Sequence, residues 1–194
     1  MQKVISFMHV SLDGFVAGPN GEMDWIIMDD EIFKDAIDLA STIDTALYGR
    51  TTYQMMEAYW PTVLSNPLSN ELELHHARWV ENVHKIVFSK MLKKVEWNNT
   101  RLIKENIAEK ISELKQQDGK SMMIFGSPTL THSFMQMNLI DEYRINVNPV
   151  VLGKGVPLFK NIDHMIDLKL LKTKKFNSGV VGFYYKQKII TTNN

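Results

Sequence analysis

Apolar residues come in short blocks along this chain, and the blocks alternate between two periods. Residues 3–9, "KVISFMH", are nearly continuous in apolar character and predict a strand. In "DDEIFKDAIDLAST" the residues Ile32, Phe33, Ala36, Ile37 and Ala40 share one face, which predicts an amphipathic helix opened by Asp29 or Asp30. "DTALYG" is short, apolar and closed by glycine, as a buried strand would be, and "RTTYQMMEAYW" predicts a helix stopped by Pro61. "PLSNELELHHARWVENV" predicts a helix with poorly separated faces, "HKIVFS" a buried strand, and residues 95–103 a short strand after "EWNN". "IAEKISELKQQDG" reads as a helix ended by Gly119, "SMMIFG" as a strand running into glycine, and "TLTHSFMQMNL" as a helix. "DEYRINVNPVVLG" predicts a strand with a Pro/Gly corner, and "HMIDLKLLKTKKFNSGVVGFYYKQK" two strands around "NSG".

Strands alternating with helices argue for an α/β fold: a mostly parallel central sheet, helices on both faces, and an antiparallel hairpin at the C-terminal edge. The 194 residues show no repeat or linker and suit a single domain over 1–194. Cysteine is absent, so disulfides and thiolate chemistry are excluded. The 22 basic and 22 acidic side chains cancel, so no nucleic-acid surface is expected. No apolar run approaches the ~20 residues of a membrane span, and the N-terminus has no signal-peptide pattern. A cytoplasmic protein with no membrane partner is expected.

The stretch "SLDGFVAGPNGEMDW", Ser11 to Trp25, is too long and too aromatic for a simple turn. Loops of this length inside compact domains are more often functional than idle. Two other places share a design that suits phosphate. "ALYGRTTYQMM" runs from strand through Gly49, Arg50, Thr51 and Thr52 into helix, and "MMIFGSPTLTHSF" does the same through Gly126, Ser127, Pro128 and Thr129. Glycine permits a sharp turn, hydroxyl residues cap the new helix, and its N–H groups and dipole attract an anion. Arg50 could add a charge-assisted bond. Ordinary helix capping would select the same residue types, so either turn alone is a weak signal. Ser89 and Lys90 of "VFSKML" follow a third strand and could hold a 2′-phosphate.

These pieces in this order, with "LIDEYRINVNPVVLGKGVPLF", resemble the dihydrofolate-reductase-like superfamily. The closer resemblance is to the reductase domain of the riboflavin-biosynthesis deaminase-reductase and its stand-alone relatives, from about Val4 to Tyr185. The resemblance implies a central sheet, NADPH as hydride donor, a small-molecule substrate and a homodimer. By position it implies that Gly49, Arg50, Thr51 and Thr52 hold the adenine-side phosphates, and that Ser89 and Lys90 lie near the 2′-phosphate. Gly126, Ser127, Pro128 and Thr129 would face the pyrophosphate, with Ala17 and Gly18 near the nicotinamide. The 11–25 stretch resembles the loop that closes over nicotinamide and substrate, with Ser11 and Trp25 at its ends on the substrate side.

Two carboxylates are candidates for catalysis and substrate binding. Asp13 of "SLDG" resembles the acid of the riboflavin-type reductases; Asp30, five residues beyond Trp25, resembles the pterin-binding carboxylate of dihydrofolate reductases. Asp13 could equally shape a turn and Asp30 a helix start. His75 and His76 point about 100° apart on a helix, and His9, His84, His132 and His164 show no ligand spacing, so no metal is expected. The Met-rich segments suit an adaptable core.

Three departures from the resemblance matter. With no cysteine, a zinc deaminase half is not expected within these 194 residues, and Ser127 stands where a second glycine is usual. The region "MDWIIMDDEIFKDAIDLA" carries Lys34 alone among many acids, which disfavours a phosphosugar substrate. The expected activity is NADPH-dependent reduction of a small heterocyclic or carbonyl substrate. The alternatives are reduction of 5-amino-6-(5-phosphoribosylamino)uracil in riboflavin biosynthesis, and a non-catalytic nucleotide-binding module.

Overall fold

The computed structural model describes residues 1–188. The main sheet has eight strands in the order β5-β4-β3-β6-β1-β7-β10-β9. They are β1 (Val4–Val10), β3 (Ile43–Gly49), β4 (His84–Phe88), β5 (Thr100–Ile103), β6 (Ser121–Phe125), β7 (Glu142–Val147), β9 (Leu168–Lys175) and β10 (Val181–Gln187). The six from β5 to β7 pair in parallel, and β10 and β9 add antiparallel pairings at one edge. A second sheet joins β2 (Phe15–Ala17) to β8 (Val156–Pro157). The α/β architecture and the closing hairpin are those expected from the apolar blocks.

Alternation along the central strands sorts side chains to two cores. Met122 and Ile124 of β6 pack with Met8, Leu47, Ile86 and with Ile111 and Phe134 of α4 (Ile107–Lys115) and α5 (Pro128–Gln136). Met123 and Phe125 pack on the other face with Ile5, Ala46, Tyr48 and with Tyr53 and Val80 of α2 (Arg50–Ser65) and α3 (Glu71–Asn82). Both faces of the inner strands are therefore apolar, as a parallel sheet requires. On the same face as α2 and α3 lies α1 (Asp30–Ser41), whose Ile32 seals a small cluster with Phe176 and Val180 at the closing hairpin.

Side-chain caps set the starts of α1 and α3. Asp29 caps α1 by accepting from Ile32 N at 2.9 Å, and Asn70 with Glu73 forms a reciprocal capping box at α3. Several expected ends shift. Pro61 does not stop α2, which runs four residues further. Pro61 removes one backbone bond on an exposed face, while Val63, buried beyond it, ties the last turn to the protein. α4 ends at Lys115, not at Gly119. β7 stops at Val147, because Asn148 turns its amide back onto Val10 O and Asn146 O, 3.3 Å from each. Among the described residues no helix is long and apolar enough to cross a membrane.

Candidate active site

The C-terminal ends of β4, β3, β6 and β1 lie side by side, and each runs into a segment singled out in the sequence. Gly49 pairs with Phe88, so Ser89 and Lys90 emerge beside the Gly49–Thr52 turn. Ser89 Oγ accepts from Met91 N and Leu92 N, at 3.2 and 3.1 Å, and shapes that turn; Lys90 is exposed.

The two glycine turns are bonded to each other. Ser127 Oγ accepts from Gly49 N at 2.7 Å and donates to Thr52 Oγ1 at 3.0 Å. The hydroxyls were expected to cap their own helices, but neither α2 nor α5 has a side-chain cap. Ser127 is turned away from α5 because both Gly126 and Ser127 are left-handed, with φ of +55° and +58°. A Cβ on Gly49 would come within 2.8 Å of Ser127 Oγ, so the close approach requires glycine. Arg50, Thr51 and Thr129 are exposed on the first turns of the two helices, and Pro128 is half-buried at the first position of α5. Two uncapped helix starts, with an arginine beside them, fit the phosphates of a dinucleotide. The same sheet edge has another end, over β1.

That other end is the 11–25 segment, which is anchored at both ends of its strand. Ser11 is fully buried, and its hydroxyl donates to Asp13 Oδ1 at 2.7 Å and accepts from Phe15 N at 2.9 Å. Asp13 Oδ1 also accepts from Leu152 N at 3.1 Å and Oδ2 from Gly153 N at 2.7 Å. The Ser11 hydroxyl, then the two amides, hold the Asp13 carboxyl below its usual range, so it is an acceptor and not an acid. It clasps the end of β1 to the 150–153 turn.

Ala17 and Gly18 are buried where β2 meets β8. The tip folds on itself: Glu22 O accepts from Gly18 N at 2.9 Å and from Trp25 Nε1 at 3.0 Å, which leaves Trp25 half-buried. The segment then crosses the seam of β1 and β7, with Ile27 N donating to Asn148 Oδ1 at 2.9 Å. Asp30 opens α1 as an exposed residue and makes no side-chain hydrogen bond among the described residues.

From sequence His9 is weighed only as a metal ligand. It lies one residue before the end of β1, opposite Asn146 of β7, on the face shared with Ile5 and Phe7. Part of the residue reaches the surface, yet both ring nitrogens are sealed and have no partner among the described residues. Burial lowers its pKa to about 4, so the ring is neutral at physiological pH. The signal was available: strict alternation along "VISFMHV" puts a polar ring on a buried face at a strand's functional end.

Two hollows lie elsewhere. One of about 630 Å³ is lined by Gln2, Asp44, Lys85, Trp97, Arg101 and Asp118 at the N-terminal ends of the strands. Lys85 there donates to the carbonyls of Glu81, Val83 and Asn98, each at 3.0 Å, which uses all three protons structurally. Open α/β sheets bind ligands at the opposite edge, where the four turns converge.

The family described as the RibD C-terminal domain matches residues 2–182. The chain belongs to that family. Its resemblance to the riboflavin-type reductases is thereby upheld, and this RibD C-terminal domain is a reductase-type domain of the riboflavin-pathway kind. Protein YyaP of Bacillus subtilis (strain 168) is 37% identical over 185 residues, covering 95% of this chain and 94% of YyaP. A putative riboflavin biosynthesis protein from Shewanella sp. PV-4 shares the fold with a TM-score of 0.77 at 22% identity, over 97% of this chain and all of that one. Dihydrofolate reductase from Enterococcus faecalis, complexed with NADP(H), aligns with a TM-score of 0.63 at 14% identity, over 96% and 97% of the two chains. The fold of this RibD C-terminal domain is therefore dihydrofolate-reductase-like.

Proposed function

We propose that this protein is an NADPH-dependent reductase that transfers a hydride to a small heterocyclic or carbonyl substrate. One observation carries the reading: the order of turns across the sheet edge. Lys90, the Gly49–Thr52 turn, the Gly126–Thr129 turn and the 11–18 segment follow one another over β4, β3, β6 and β1. At about 4.8 Å per strand these span roughly 14 Å, a suitable length for an extended dinucleotide. Its 2′-phosphate would lie at Ser89 and Lys90, its pyrophosphate between Gly49 and Thr129, and its nicotinamide at Ala17 and Gly18. The complex of the Enterococcus faecalis enzyme with NADP(H) supports the same choice of cofactor on this fold.

Within this reading Asp13 positions the loop, and Asp30 is the carboxylate able to meet a donor-bearing ring. Acids dominate the first turns of α1, where Lys34 is exposed, so a phosphoribosyl substrate of riboflavin biosynthesis is the weaker choice. A homodimer through the sheet edge rests on β9, an edge strand paired only with β10 among the described residues, whose Leu170 and Leu171 are exposed.

Titration with NADPH and NADH tests the reading. Tighter binding of NADPH is expected, and Arg50→Ala should weaken it about 10- to 150-fold, the loss of a charge-assisted bond of roughly 1.5–3 kcal/mol. Binding of NADPH without oxidation on any pterin, pyrimidine or carbonyl would leave the nucleotide-binding module. No binding of either nucleotide at millimolar concentration would remove the cofactor assignment.

A further inference from the structure

The reductase reading leaves the substrate open, and His9 narrows it. A buried imidazole with neither nitrogen satisfied is rare, because leaving such atoms without partners costs stability. Its position offers a reason. His9 and Asn146 sit opposite each other on β1 and β7, near the point where Ile27, two residues beyond the 11–25 segment, bonds Asn148. They therefore lie at the sheet edge that carries the nicotinamide end of the proposed site.

The surroundings are aromatic. Phe7 meets the His9 ring edge-on at 5.3 Å, Phe125 meets Phe7 at 6.4 Å, and Trp79 meets Phe125 at 5.5 Å. Arg144, opposite Phe7 on β7, is engaged by Glu142 at 2.6 Å, and Lys174 by Asp35 at 2.7 Å. The histidine itself is held neutral by burial. A neutral imidazole offers one donor and one acceptor.

We propose that His9 is a substrate-binding residue that orients a flat, uncharged heterocycle by hydrogen bonding to its rim, against the Phe7 and Phe125 wall. This rests on the reductase reading for its location, and the experiment separates the two. The full chain is compared with His9→Phe, His9→Leu and His9→Gln; the first two remove both nitrogens at different sizes, and the last restores a donor and an acceptor. NADP⁺ is titrated first. Lumazine, an uncharged pteridine-dione at about pH 6.5, is then titrated with and without saturating NADP⁺, and uridine 5′-monophosphate serves as the charged comparator. Tryptophan fluorescence reports all three, and thermal unfolding reports folding.

NADP⁺ affinity should agree within about twofold across the variants. Lumazine binding should fall about tenfold or more in His9→Phe and His9→Leu and recover to within about threefold in His9→Gln. The apolar variants should melt no lower than the parent, since they remove unsatisfied buried atoms. Lumazine binding that is absent from the parent, unchanged in both apolar variants, or matched by uridine 5′-monophosphate would overturn the proposal. Loss of NADP⁺ binding by the parent would instead overturn the reductase reading, and the lumazine titration without nucleotide would still decide the role of His9.

Discussion

Acid sensitivity of the three-helix junction follows from His76. The residue is buried on α3 at 8% exposure, with Phe33 of α1, Trp60 of α2 and Trp79 around it at ring distances of 5.6, 4.6 and 5.5 Å. Its Nδ1 has no partner among the described residues, and burial, then the neighbouring His75, lowers its pKa to about 4. In the unfolded chain an ordinary histidine takes its proton near 6.5. Between those values the unfolded state binds the extra proton, so stability is complete above about pH 6.5 and falls as the pH drops towards 4. With these two values the linkage amounts to about 2 kcal/mol between pH 7 and pH 5, and about 3 kcal/mol once both states are protonated.

His76→Phe removes the titration while keeping an aromatic ring of similar shape. Crowding by the larger ring can change stability at every pH, so the pH dependence is the informative quantity. Urea unfolding followed by tryptophan fluorescence at pH 7, 6 and 5 should show the parent losing about 2 kcal/mol more than the variant across that range. Carboxylates held low by hydrogen bonds, such as Asp29 below the α1 start, contribute at more acid pH and affect both proteins alike. Equal losses for parent and variant between pH 7 and 5 would refute the neutral, buried state of His76.

Ser127→Ala should destabilise the protein by about 2 kcal/mol, or roughly 4–8 °C in Tm, because Gly49 N loses its acceptor at the joint between the two turns. It should also weaken NADPH, whereas Thr129→Ala on the exposed first turn should leave Tm unchanged. Asp13→Ala should speed limited proteolysis in the 150–157 segment, and Asp13→Asn, which keeps the acceptor used by Leu152 N, should restore much of the protection. Equal cleavage of parent and Asp13→Ala would show that the clasp does not hold that segment.

The fold was legible where periodicity was strong. Met122 and Met123 are adjacent and chemically identical, yet alternation alone assigns them to opposite cores, and the structure does the same. Legibility failed where a local signal competed with a distant anchor. Pro61 is a helix breaker by its own chemistry, but the helix continues because Val63 is buried beyond it. "VNPVVLG" looked strand-like until Asn148, whose amide bonds back to β1 and whose Oδ1 holds Ile27, made its own use of the chain. Such partners lie more than a hundred residues apart, and no window along the sequence contains both.

The site shows the same division, and Ser127 shows why it matters. From sequence it is a serine where glycine is usual, which narrows backbone freedom while keeping a donor. The structure places it at φ +58°, a conformation that costs a residue with a Cβ about 1 kcal/mol relative to glycine. Two hydrogen bonds, to Gly49 N and Thr52 Oγ1, offset that cost at roughly 1 kcal/mol each. The hydroxyl cannot cap α5 while it makes them, so the amides at the start of that helix stay available to an anion. A residue that looks like a blemish in a glycine motif thus joins the two turns proposed to hold phosphates and leaves a helix end open. Asp13 follows the same logic at the other end: its carboxylate, expected to act on a substrate, is engaged by Leu152 and Gly153, partners that its own sequence neighbourhood does not contain. Residue type placed both near the functional edge, while only the folded chain shows which atoms remain to meet a ligand.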